Sequence, residues 1–124
     1  MVSIIDNSMS SLLGLAIDAS VMRQQAIAQN IANVNTPGYQ RMTVNFESRM
    51  AALATAPSPG STPSLADLSN YRPSFEYASG PANGVALDME LANMQETVLH
   101  HHALLKALGK HMELIGLAIN EGKR

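Results

Sequence analysis

The stretch LDMELANMQETVLHHHALLKALGKHMELIGLAI, residues 87–119, decides the fold. Within it Leu87, Leu91, Met94, Val98, His101, Leu105, Leu108, Met112, Ile115 and Ile119 recur at alternating steps of four and three. Side chains spaced in this way share one face of an α-helix. Asp88 and Glu90 fall in its first turn, and Lys123 and Arg124 lie past its end. These signs complement the helix macrodipole at both ends. Roughly 35 residues at about 1.5 Å each give a rod of about 50 Å. An ordinary globular helix has about 11–12 residues. The sustained heptad step predicts a coiled-coil seam with a left-handed supercoil.

A second long helix is expected near the other end of the chain. From about Ser10 to Val34 there is one Gly and no Pro. One stripe reads Leu12, Ala16, Ala19, Arg23, Ala26, Asn30, Asn33, and its neighbour reads Leu13, Ile17, Ser20, Gln24, Ile27, Ile31, Val34. Both keep helical spacing. Ser8, Ser10 and Ser11 are candidate N-caps. The helix must end before Pro37, whose ring pushes Thr36 out of the helical region. Asn35-Thr36-Pro37-Gly38-Tyr39 then reads as a tight turn: Pro37 presets φ at one central position, and Gly38 can take positive φ at the next. Asn30 and Asn33 close the helix. Their amides can cap its last free carbonyls or bond to a neighbouring subunit. Tyr39 reads as a packing residue.

The middle is different in character. Met42, Val44 and Phe46 alternate with polar residues, so a short extended piece is expected, one that needs a partner. From Ala54 to about Asn70, prolines and serines such as Pro57, Pro59 and Pro63 rule out regular structure. Phe75 and Tyr77 share a face of a second extended piece. Gly80 to Gly84 forms another break.

Composition narrows the function classes. Of 124 residues, 46% are hydrophobic but only 4% aromatic, with no Trp. This favours thin helix-to-helix packing by Ala, Leu, Ile and Met. A net charge of -2 offers no general attraction to nucleic acid or anionic lipid. No Cys is present, which excludes disulfides, thiolate catalysis and zinc–thiolate sites. No basic residue precedes Arg23, so no cleavable secretory signal is expected. The run Leu12 to Ile17 is too short to cross a bilayer. His100, His101 and His102 project about 100° apart on a helix and cannot converge on one ion, and His111 completes no pair at three or four residues. His101 is a seam position. No nucleophile elbow or phosphate loop is present. The expectation is therefore no enzyme, no cofactor and no metal.

The pieces assemble into a mainly α-helical chain. Residues 1–36 and 85–124 form two long helices paired as an antiparallel coiled-coil hairpin. Residues 37–84 form the turn, the extended segment and a flexible, partly β-like middle. A two-helix hairpin leaves apolar flanks uncovered, and ordering costs about 1–2 kcal/mol per residue. Other copies must cover those flanks, so the chain is expected to assemble.

The residues of the turn carry a further reading. Asn30-Ile31-Ala32-Asn33-Val34-Asn35-Thr36-Pro37-Gly38-Tyr39 resembles the signature that closes the N-terminal helix in flagellar rod, hook and hook–filament junction proteins. Val85 to Leu91 resembles the start of that family's C-terminal helix. The ending Leu114 to Lys123 is most similar to FlgB-type proximal-rod proteins, as is the short length; the FlgC type is the near alternative. Two departures stand out. Ala86 replaces a usual acidic residue, and His100 to His102 replace an aromatic. The resemblance implies a structural subunit of the torque-transmitting rod around the export channel. It also implies export through the flagellar type III apparatus without signal cleavage, and assembly in the periplasm with copies of itself, other rod proteins, the MS ring and its adaptor protein. The expected interface and motif positions are Asn30, Ile31, Asn33, Thr36, Pro37, Gly38 and Tyr39, with Leu91, Met94, Val98, Leu105, Leu108, Met112 and Ile115. A helical-hairpin adaptor that binds one partner and never polymerises is the competitor from another class.

Overall fold

The computed structural model describes residues 2–54, 70–79 and 85–122. The Pro/Ser-rich segment expected to lack regular structure, the break at Gly80 to Gly84, and the basic pair Lys123 and Arg124 all lie largely or wholly outside them. Among the described residues five elements follow one another: α1 (Val2–Ala32), β1 (Met42–Asn45), α2 (Glu47–Ala54), β2 (Ser74–Tyr77) and α3 (Leu87–Glu121).

The two long helices pack on each other, and β1 and β2 lie against α1. α1 begins at Val2, well before the serines expected to cap it. Ser8, Ser10 and Ser11 are interior helical residues instead. Serine costs little in a helix when nothing stops the chain from winding further back. At its other end α1 stops at Ala32, as the downstream Pro37 requires.

The two stripes of α1 bury two different faces. Leu12, Ala16 and Ala19 pack with Leu15 against Phe46, Val44, Met50 and Tyr71, the small core of the molecule. Further along this face, Arg23 reaches Glu47 of α2 at 2.6 Å. The other stripe meets α3, where Ser20 and Ile27 are buried. Alanine and serine at the contacts let the backbones approach closely without large rings.

Met42 to Asn45 does form a strand, and its partner is β2. The pairing is antiparallel, with Met42 opposite Tyr77 and Val44 opposite Phe75. A two-stranded sheet is marginal alone, and α1 supplies the surface it rests on. Tyr71 anchors the returning chain: its hydroxyl donates to the Asn45 carbonyl at 2.6 Å and its ring packs on Phe46. Phe75 and Tyr77, by contrast, remain largely exposed. The short α2 did not stand out in the sequence, because eight residues carry too little periodicity.

α3 runs from Leu87 to Glu121 as one unbroken helix. Its N-cap is Ala86, which offers no side-chain oxygen, and Asp88 does not replace it. The expected seam needs a correction. The face turned to α1 runs through Glu90, Thr97, His101, Leu104 and Leu108, which are buried or half-buried. Met94, Val98 and Ile115 are half-buried beside it. Leu87, Leu91, Leu105, Met112 and Ile119 stand 44% to 59% exposed. The heptad stripe is real, but α1 covers only one edge of it.

Candidate functional site

The turn that closes α1 is built as its residues dictate. The Tyr39 amide donates to the Thr36 carbonyl at 3.3 Å, so Pro37 and Gly38 occupy the central positions. Gly38 has φ of +75°, and it alone among the described residues lies in the left-handed region. That value is what a type II turn requires at its third residue. Asn33 serves the helix end: its Nδ2 donates to the Gln29 carbonyl at 2.8 Å, and its Oδ1 accepts from the Thr36 hydroxyl at 3.1 Å. Of the two roles open to Asn33, the capping role is the one seen.

Asn30 does something else. It is fully buried. Its Nδ2 donates to the Met42 carbonyl at 2.9 Å and to Glu90 Oε2 at 3.3 Å. Its Oδ1 accepts from the Met42 amide at 2.8 Å and from the Tyr39 hydroxyl at 3.0 Å. An amide side chain has two donor hydrogens and two acceptor lone pairs, so its whole capacity is spent inside the chain. The orientation of the amide is set by Met42, whose backbone it pairs with as a strand would. Of the two roles open to Asn30, neither the carbonyl cap nor a bond to a neighbour is the one seen: its amide is spent within the chain, on Met42, Tyr39 and Glu90.

Glu90 completes the cluster. It is 1% exposed, in the first turn of α3, and is held by Asn30 and by the guanidinium Nε of Arg41. An isolated buried carboxylate is strongly unfavourable unless it is paired and hydrogen-bonded. Arg41 supplies the counter-charge, and the positive end of α3 adds to it. Burial pushes the Tyr39 phenol above its ordinary value of about 10, with the nearby Tyr77 and Glu90 adding to the effect. Among the described residues, every buried side-chain nitrogen and oxygen has a partner. The cluster ties the end of α1, the turn, β1 and the start of α3 into one unit.

Midway along the pair, buried Ser20 meets the half-buried His101. Its Oγ lies 2.7 Å from the Ile17 carbonyl and 2.7 Å from His101 Nδ1. A hydroxyl has one proton. With that proton on Ile17, the bond to the ring requires a hydrogen on Nδ1. His100 and His102 point away and are exposed. The expectation that the three rings diverge matches this placement.

The remaining expected positions divide between two settings. Ile31 and Leu108 are each half-buried, at opposite ends of the helix pair. Met94, Val98 and Ile115 stand at the edge of the contact, whereas Leu91, Leu105 and Met112 face outward. Sequence reasoning took Glu90 only as an acidic residue of a first helical turn and missed its pairing with Arg41. The available signal was weak: Glu90, Thr97 and His101 form a polar series at helical spacing beside the apolar one.

Residues 18–40 match the profile of the family described as flagella basal body rod protein. Over this stretch the chain is similar to flagellar rod-family proteins. The matched stretch covers the second half of α1 and the turn through Tyr39, so it contains Asn30, Asn33 and the Pro37-Gly38 pair. No curated protein matches the chain. Rod-family proteins are structural parts of the basal body, which accords with a site made of packing and hydrogen bonds. Among the described residues, no helix is long and apolar enough to cross a membrane. No group of three His, Asp or Glu there is placed to hold a metal.

Proposed function

We propose that this rod protein is a FlgB-type proximal-rod subunit that polymerises through α1 and α3 to form part of the torque-transmitting shaft around the export channel. The observation that carries the reading is the uncovered heptad stripe of α3, Leu87, Leu91, Leu105, Met112 and Ile119. A buried aliphatic side chain contributes about 1.5–3 kcal/mol. Half of that at five positions is roughly 4–7 kcal/mol, against an association cost of about 4–15 kcal/mol. One contact between two copies is therefore weak, and several neighbours together are needed. Such an arrangement suits a packed lattice better than a free dimer. In it the stripe forms the coiled-coil seam with neighbours, and the turn from Asn30 to Tyr39 positions the helix that bears the next contact.

The FlgB-type assignment rests on the ending Leu114 to Lys123, and the FlgC type is the alternative. The family reading carries with it export through the type III apparatus without signal cleavage. It also carries a periplasmic position on the MS ring and its adaptor protein, among other rod proteins. Sedimentation tests the assembly. Purified protein, alone and with the other rod proteins, is expected to form open-ended particles. Leu105→Glu is expected to stay fully helical by circular dichroism and to sediment as a monomer. Discrete one-to-one complexes that never extend would instead support a hairpin adaptor.

A further inference from the structure

The chain has 8 methionines and no cysteine, so thioether sulfur is the group that a mild oxidant meets. Among the described residues, Met22, Met42, Met50 and Met94 are half-buried. Met9, Met89 and Met112 are 44%, 61% and 59% exposed. Their settings differ. Met9 lies in α1. Met89 stands in the first turn of α3, midway between Leu87 and Leu91 in the chain and so on the opposite flank of the helix. Met112 stands on the uncovered stripe itself, one heptad after Leu105 and one before Ile119. An exposed, oxidisable sulfur and the aliphatic face coincide there.

We infer that Met112 is a reversible oxidation site, at which a peroxide converts the free chain into a form that does not join others. The inference rests on the polymerising role proposed above and adds a control point to it. The sulfur lone pair attacks one peroxide oxygen and the O–O bond breaks. The departing oxygen takes up the proton of the one that stays and leaves as water. Sulfur gives up two electrons, peroxide accepts them, and the product is the sulfoxide. A thiol-dependent reductase reverses the step: two thiols supply two electrons and two protons, the oxygen leaves as water, and the thiols become a disulfide. In the free chain the new oxygen stands in water, so the helix keeps its fold. In an assembled seam it would lie among aliphatic side chains, and a polar group buried without a partner is strongly unfavourable. One added atom thus separates folding from assembly. Neighbours that cover the stripe also exclude the oxidant, so unassembled chains respond and assembled ones are protected.

Hydrogen peroxide is the probe. Free chains are treated and then cleared of peroxide, peptide mass spectrometry locates the added oxygen, and each protein is compared with its own untreated sample by sedimentation. Oxidation of Met112 is expected to raise the concentration needed for assembly by at least about tenfold, with helix content unchanged by circular dichroism. Met9→Leu/Met89→Leu, which retains Met112, is expected to respond to peroxide as the native chain does, and a sulfoxide reductase with dithiothreitol to restore its assembly. Met112→Leu is expected to assemble alike before and after peroxide. Three results would overturn the site: chains oxidised at Met112 that assemble as untreated ones do, a Met112→Leu protein that loses assembly on treatment, or a Met112 that stays unmodified while Met89 reacts. Each leaves the polymerising role standing if Leu105→Glu still blocks assembly. Untreated native protein that stays monomeric alone and with the other rod proteins removes both.

Discussion

Removing Arg41 should harm this protein more than neutralising Glu90, although the two side chains form a single pair. Glu90 is 1% exposed, whereas Arg41 keeps 31% of its surface in water. In Arg41→Ala the carboxylate stays buried with Asn30 Nδ2 at 3.3 Å as its remaining side-chain partner. Stranding a buried charge in this way costs about 3–5 kcal/mol. In Glu90→Gln the guanidinium can turn to water, and what is lost is a charged hydrogen bond in a site of nearly constant shape, about 1–2 kcal/mol. The difference, about 1–4 kcal/mol, is at least about fivefold in the unfolding equilibrium, since about 1.4 kcal/mol is a factor of ten. The double variant should cost little more than Glu90→Gln alone, because no charge is left stranded. Urea unfolding followed by far-ultraviolet circular dichroism gives all three values, and the cycle isolates the coupling. Equal losses from the two single variants, or a double variant that costs their sum, would refute the asymmetric account of the pair.

Three other outcomes follow from the same structure. Gly38→Ala meets no atom within 4 Å at the new Cβ, so its cost is backbone conformation alone, about 1–2 kcal/mol by urea unfolding; a loss well beyond that would mean the turn is held by something else. Burial raises both the Tyr39 and Tyr71 phenols in the folded state, Tyr39 with help from Tyr77 and Glu90, and Tyr71 against an opposing Arg49. The unfolded chain then loses these protons first, so stability should be flat below about pH 10 and fall as pH rises through and above it. Tyr39→Phe should flatten part of that alkaline slope in thermal melts, and an unchanged slope in the double Tyr39→Phe/Tyr71→Phe variant would contradict the assignment. Asn30→Asp turns a donor into an acceptor facing the Met42 carbonyl and Glu90, and should destabilise strongly; Asn33→Asp, at the half-exposed helix end, should cost no more than about 1 kcal/mol. Comparable midpoints for the two variants would mean that Asn30 is not the hub.

The sequence determined what depends on neighbours along the chain. Helical spacing placed both long helices, because each stripe must share a face whatever it packs against. Pro37 and Gly38 determined the turn, because ring closure and a missing Cβ limit their backbone angles before any folding occurs. The alternation at Met42 and Val44 marked one strand and the spacing of Phe75 and Tyr77 a second extended piece, although not that the two pair. Tertiary structure decided what depends on residues far apart in the chain. It set which edge of the α3 stripe meets α1, because rotating a helix by one step exchanges a polar for an apolar face at small local cost. It also brought Glu90 to Arg41 and Asn30 across 49 and 60 positions. An acidic residue in a first helical turn looks the same whether it faces water or a buried guanidinium, and only the crossing of the two helices distinguishes the two cases.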